Sequence, residues 1–253
     1  MTDHLNMLTW NIRHGLGNDG NVDLPRIVSI IQDLDPDIIA LQEVDVDWER
    51  SGRTDQPREI AHALQMESCF GPNLTQLTSE AHQHYGTMIL SRYPIQNWTN
   101  TPLPQRAEWE PRGLLEAHIL VPGVGNVVIF NTHLHVGDTL DGVMQRRSQA
   151  KCIANRVQSM DEPIVLAGDF NAQPGTDDLA PIEAVLADAW RAAGSSGEEF
   201  TIPTRPHGPG DARIDAIFMS RSFRVADCYP IVTVKTRLAS DHYPVLARLC
   251  VPG

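Results

Sequence analysis

The sequence predicts an α/β protein in which two mixed β-sheets pack face to face with helices outside. Nine short apolar runs alternate with four amphipathic stretches of helical spacing. The runs carry apolar residues on both faces, so both sides of each sheet must be covered. The polar residues that end these runs give the strand directions. MLTWN stops at Asn11, DIIALQE at Glu43, VVIFNTH at His133 and PIVLAGD at Asp169, whereas in RIDAIFMS the acid Asp215 comes early and in SDHYPVLARL Asp241 and His242 precede the apolar run. For these groups to meet at one rim, the last strands must run antiparallel to some of the earlier ones. A doubly wound parallel sheet is disfavoured.

In chain order, a strand over 6–12 is followed by a helix from Asp23, with Pro25 in its first turn and Ile27, Ile30, Ile31 and Leu34 on one stripe. A strand over 37–43 leads to a helix opened by Pro57 and carrying Ile60, Ala61 and Leu64. Strands follow over 87–92, 113–121 and 126–136. The third helix spans about Leu140 to Val157, with Val143, Met144, Ala150, Ile153 and Val157 on or near one face. A strand over 163–169 precedes a fourth helix marked by Ile182, Val185, Leu186 and Trp190, and the last strands cover 213–219, 223–234 and 243–251. No repeat, low-complexity tract or Ser/Gly-rich linker divides the chain, so residues 1–253 read as one domain.

Composition removes several classes. With 253 residues, 20 Lys plus Arg against 32 Asp plus Glu, and a net charge of −12, the chain has the balance of an ordinary globular protein. No apolar run reaches the roughly 18 residues of a membrane span, and MTDHLNMLTW lacks a signal-type start. Cys69, Cys152, Cys228 and Cys250 are widely spaced and form no CxxC pair, which predicts reduced thiols and a cytoplasmic location. No basic stripe offers itself to a polyanion, so extended nucleic acid is a disfavoured partner. A local cationic or metal-bearing cleft can still take one phosphate. Nothing in the sequence fixes an oligomeric state.

Polar side chains at the ends of buried strands need partners, because an unpaired polar group removed from water costs several kcal/mol. Each alone is explained by a turn; their convergence is not. Asn11, Glu43, Asp169, Asn171, Asp215, Asp241, His133 and His242 combine oxygen donors with two imidazoles. That set suits a hard divalent cation, Mg²⁺ or Mn²⁺, better than zinc.

TWNIRHG from Thr9, LQEV from Leu41, YGTMILSRYPI from Tyr85, PRGLL from Pro111, NTHLHV from Asn131, LAGDFNAQP from Leu166, RIDAIF from Arg213 and SDHYPV from Ser240 resemble, in order, the endonuclease/exonuclease/phosphatase superfamily. The resemblance implies a four-layer α/β/β/α sandwich, deoxyribonuclease-like, and metal-dependent hydrolysis of a phosphate ester. By the same resemblance Glu43 and Asn11 form the metal site, with Glu43 the direct ligand, and Asp241 completes it or holds a second ion. Asp169 positions or deprotonates the attacking water and Asn171 orients Asp169 or holds the phosphate. His242 donates to a phosphate oxygen with its other nitrogen on Asp215, and His133 contacts the phosphate. Arg112 and Arg13 are expected at the substrate phosphate.

Other signals are assigned blander roles. His135 is expected at the surface, on the face of His133 if the strand continues. His82 and His84 read as loop residues, Arg146 and Arg147 as solvated helix positions, and Trp10 as core. Thr87 stands where many relatives carry Asn. For the substrate, the acidic balance favours a small or lipid-derived phosphodiester or phosphomonoester. The competing reading is a nuclease with a cationic, aromatic-lined groove, to which Trp48, Trp98 and Trp109 would contribute. A catalytically silent scaffold is disfavoured, because every expected catalytic position is filled.

Overall fold

A computed structural model describes residues 4–77, 82–194 and 212–250. Strands β1 (His4–Asn11), β2 (Ile38–Val46), β3 (Glu67–Leu77), β4 (His82–Ser91), β11 (Arg224–Pro230) and β12 (Val245–Cys250) form a six-stranded sheet ordered β11-β12-β1-β2-β4-β3. Strands β5 (Ile95–Pro102), β6 (Gly113–Val121), β7 (Gly125–His133), β8 (Ile164–Asp169), β9 (Ala187–Asp188) and β10 (Asp215–Met219) form a second, ordered β5-β6-β7-β8-β10-β9. The parallel pairs are β1 with β2 and β7 with β8. Both late strands run against their neighbours, β12 antiparallel to β1 and β10 antiparallel to β8. The polar strand ends therefore meet at one rim, as the sequence requires.

Period-2 alternation builds three apolar layers. Along β8, Val165 and Ala167 face the layer between the sheets, while Ile164 and Leu166 face outward. The outward face of the second sheet packs on α3 (Leu140–Gln158) through Ala150, Ile153 and Val157, and on Ile182 of the one-turn helix α4 (Ala180–Glu183). The first sheet's outward face, with Leu8, Trp10, Ile39 and Leu41, packs on α1 (Leu24–Leu34) and α2 (Gln56–Leu64). The result is helix, sheet, sheet, helix. Asp23 and Asp55 cap α1 and α2 through Arg26 N and Arg58 N, each with a proline in the first turn, and Thr139 caps α3. No helix among the described residues is long and apolar enough to cross a membrane.

Several expectations need correction. Strands β3 and β5 have mostly exposed side chains and so lack the apolar signal, and β4 begins at His82, placing His82 and His84 in a strand. The expected strand over 223–234 stops at Pro230. Thr233 and Thr236 form a reciprocal cap that starts α6 (Val234–Ala239). The fourth helix is two single turns, α4 and α5 (Ala189–Ala192), separated by β9. Arg146 is buried rather than solvated. It pairs with Asp178 at 2.7 Å and donates to the carbonyls of His135 and Gly137, locking the loop after β7 onto α3.

At the functional rim a polar contact joins the sheets. The register of β2 against β4 shifts between Leu41 and Val44, a bulge that turns the following residues toward the rim. Asn131 of β7 reaches across and donates to the carbonyls of Leu41 and Met88, both at 2.8 Å, while its Oδ1 accepts from Gln42 Nε2 at 2.8 Å. All four side chains or carbonyls lie in fully buried surroundings. Asn131→Leu, which roughly keeps the volume, strands these groups at about 1–3 kcal/mol each. We expect a loss of about 3 kcal/mol or more in urea unfolding with an unchanged slope; a loss near zero contradicts the clamp.

Candidate active site

The bulge determines how Glu43 is presented. Its backbone adopts φ +59°, a left-handed conformation that costs a non-glycine residue about 1–3 kcal/mol and persists only where surroundings enforce it. Here Asn131 and Gln42 enforce it from below, and the carboxyl group faces a cavity of about 270 Å³. Among the described residues Glu43 receives one hydrogen bond, from Asn11 Nδ2 at 2.9 Å. Burial pushes its carboxyl above the usual range, the direction a bound cation would reverse.

Asn11, at the end of β1, is fully buried. Its Nδ2 also donates to Asp169 Oδ2 at 3.0 Å, and its Oδ1 accepts from Arg13 N at 3.0 Å. The side chain thus ties together two carboxylates from different sheets.

Asp169 ends β8, where Gly168 is obligatory: its φ is +156° and a Cβ built there would lie 2.1 Å from Thr132 O. Asp169 Oδ1 accepts from Asn171 N at 2.9 Å, and Asn171, at φ +50°, anchors its own amide on Leu134 O at 3.0 Å. Two imidazoles approach the other oxygen, His133 Nε2 at 3.4 Å and His242 Nε2 at 3.7 Å. His242 Nδ1 lies 2.8 Å from Asp215 Oδ2. Burial disfavours the imidazolium, but Asp215 and then Asp169 outweigh it and raise the His242 pKa to about 10. Burial and the Asp215 charge raise Asp169 to about 6. At neutral pH His242 is a buried cation aimed at the cavity.

Backbone anchors fix that imidazole. Ser240 Oγ donates to Asn11 O at 2.8 Å and accepts from His242 N at 3.2 Å, while Trp10 Nε1 donates to His242 O at 3.0 Å. Ser240 and Asn131 were invisible as functional residues in the sequence, because they bind backbone groups and, for Asn131, the Gln42 amide as well. The flanking Ser-Asp-His and Asn-Thr-His triplets were the available signal.

The cavity is lined by Glu43, Glu110, Asp169 and Asp241 against Arg50, Arg112 and the two imidazoles, with Tyr85 and Asn171 beside them. Arg112 is buried and pairs with Glu110 at 2.7 Å, while its Nε and Nη1 make no geometrically good hydrogen bond. Arg13 lies at the edge, 3.9 Å from Asp241 and half-exposed. His135 falls outside the cluster. The strand stops at His133, and the His135 ring stacks on Trp109 with centroids 4.1 Å apart. Trp10 is core, as expected. Asp169, Asp215 and His242 place ligand-type atoms within 4.8 Å of one another. Within that trio Asp215 and His242 are hydrogen-bonded at 2.8 Å, while His242 Nε2 lies 3.7 Å from Asp169, beyond hydrogen-bond reach. On the Glu43 side the cavity lining includes the carboxylates of Glu43, Glu110 and Asp241, oxygen donors of the type a hard divalent ion takes. A larger cavity, about 510 Å³, lies at the other end of β8 beside Ile164 and Ser220 and holds no comparable set.

The uncharacterized protein YbhP of Escherichia coli (strain K12) is 26% identical over 258 residues, covering 96% of this chain and 95% of its own. The crystal structure of an endonuclease/exonuclease/phosphatase from Beutenbergia cavernae is 28% identical, with a TM-score of 0.82 over 99% of this chain and 72% of that one. A mannosyl-6-phosphatase of Bacteroides thetaiotaomicron shares the fold at 22% identity, with a TM-score of 0.70 over 97% of this chain and 99% of that one. The model of the endonuclease/exonuclease/phosphatase family matches residues 8–242. The chain therefore belongs to that family of phosphoester hydrolases.

Proposed function

We infer that the chain, read over residues 1–253 as one catalytic domain, hydrolyses a small or lipid-derived phosphodiester or phosphomonoester with Mg²⁺ or Mn²⁺. The observation that carries the substrate class is the cavity itself: about 270 Å³, with four carboxylates among its lining residues. A polyanion would meet repulsion along such walls, whereas one phosphoryl group meets Arg112, His133 and His242. The four unpaired cysteines, two of them buried with thiols pushed to about 12, suit a reducing compartment, the cytoplasm.

When bound, a divalent ion supplies Lewis-acid polarisation of the phosphoryl oxygen and stabilises the leaving alkoxide. Glu43 would hold it, with Asp241 as the second carboxylate. Asp169, held by Asn11 and Asn171, orients the attacking water and takes its proton. The imidazolium of His242 donates from Nε2 to a phosphoryl oxygen, and Asp215 keeps it charged. His133 and Arg112 steady the same phosphate, with Arg13 at the rim. A charge placed in advance where charge develops is the largest usual contribution to such catalysis.

Three variants test the roles. Glu43→Ala, Asp169→Ala and His242→Ala should each lose at least about 100-fold in kcat/KM. The isosteric Glu43→Gln should melt no lower than the parent, because burial already disfavours that charge. Near-normal turnover by any of the three would refute the assignment. A panel of chromogenic mono- and diesters, lipid phosphodiesters, and single- and double-stranded DNA and RNA should show turnover of small esters; rapid nucleic-acid cleavage instead would establish a nuclease.

The charge state of His242 gives a pH test. Its proton is retained to about pH 10 because Asp215 and Asp169 overcome burial. Asp215→Asn removes the leading opposing charge, so the imidazole loses its proton at lower pH. The alkaline limb of kcat/KM should move toward neutrality in that variant, and a limb that stays in place would separate His242 from the rate.

A further inference from the structure

Arg50 is a cationic cavity residue that these roles leave unused. It sits in the turn Glu49–Ser51 after β2, and its side chain is 44% exposed. Its Nε and Nη2 grip the fully buried carboxylate of Asp45 at 2.9 and 2.8 Å, and Ser51 Oγ adds a third bond to that carboxylate at 2.9 Å. The guanidinium carbon lies 4.8 Å from the Trp48 ring centre and 5.2 Å from that of Tyr85. Trp48 is itself fixed by donation to His84 O at 2.9 Å. Among the described residues nothing accepts from Nη1. A buried acid behind and aromatic rings beside it leave an oriented fork of N–H groups open to the cavity, the geometry that suits an oxyanion.

Sheet order separates this fork from the reacting phosphate. His242 precedes β12, Asn11 ends β1, Glu43 lies on β2, and Tyr85 on β4 closes the row. From β1 to β4 is two strand spacings, about 10 Å. That distance leaves room for the phosphoryl group at Asp169 and His242 and one further group at Arg50. A purely structural Arg50 would need only to neutralise Asp45, and it would not require the cavity face.

We propose that Arg50 forms a second anion position, so that the substrate carries, besides the phosphoryl group being hydrolysed, a second oxyanion a few bonds away. This rests on the hydrolase reading and narrows it: a neutral alcohol would leave the fork unused, whereas a second phosphate or a carboxylate would fill it. Tyr85 and Trp48 frame the position and Asp45 orients the guanidinium.

The test is calorimetric binding at excess Mg²⁺ of propylphosphonate, 3-phosphonopropionate and propane-1,3-bisphosphonate, none of which can be hydrolysed. The parent protein should bind one or both double anions at least about 10-fold more tightly than propylphosphonate. The stronger of the two identifies the group. Arg50→Gln should lose that preference while binding propylphosphonate unchanged, and Arg50→Lys should keep part of it. If Arg50→Gln fails to fold because Asp45 is left buried and unpaired, Asp45→Asn/Arg50→Gln removes both charges together. A structural role alone would weaken all three probes alike, which overturns the proposal. So does a parent that binds propylphosphonate without preferring either double anion, and in that case the hydrolase reading stands. Absence of binding by every probe would overturn both.

Discussion

The arrangement of this site depends on the Asn131 contact between two sheets whose shared layer is mostly hydrocarbon. Apolar packing is non-directional, so it brings the sheets together without fixing where one slides on the other. Asn131 supplies the direction. By satisfying Leu41 O, Met88 O and Gln42 at the β2 bulge, it locks the strand that carries Glu43 to the sheet that carries Asp169 and His133. Asn11 repeats the device one strand away, touching Glu43 and Asp169 at 2.9 and 3.0 Å. The left-handed backbone of Glu43 is held between these two amides.

Electrostatics then divides the cavity. On one side Asp215, His242 and Asp169 form a chain in which one imidazolium sits between two buried carboxylates and keeps its proton. On the other side burial raises the Glu43 pKa, and the charges of His242 and Arg112 do not offset it. That uncompensated buried carboxylate is the feature that supports proposing the ion there. Carboxylates of identical type thus meet opposite electrostatic surroundings because their neighbours differ.

Much of this was legible in the sequence because strand ends carry both pattern and chemistry. Asn11, Glu43, His133, Asp169, Asp215 and His242 announced themselves as polar groups closing apolar runs, and the position of Asp215 and His242 ahead of theirs gave the strand reversal. What was hidden has physical causes. β3 and β5 are edge strands with polar outward faces, so period-2 apolarity is missing. The capping box at Thr233 overrode a β-branched run that reads as strand. Arg146 resembles a solvated helix residue until Asp178, distant in sequence, arrives beside it. Asn131 and Ser240 bind backbone, and Arg50 depends on a buried acid five residues earlier, relations no local pattern expresses.

The central claim is that these amides hold Glu43 ready for a divalent ion. Anomalous diffraction from crystals soaked in Mn²⁺ tests it most directly. The expected result is a peak within about 2.2 Å of a Glu43 carboxylate oxygen, with water filling the remaining coordination positions. A peak instead between Asp169, Asp215 and His242, with Glu43 bare, would contradict it.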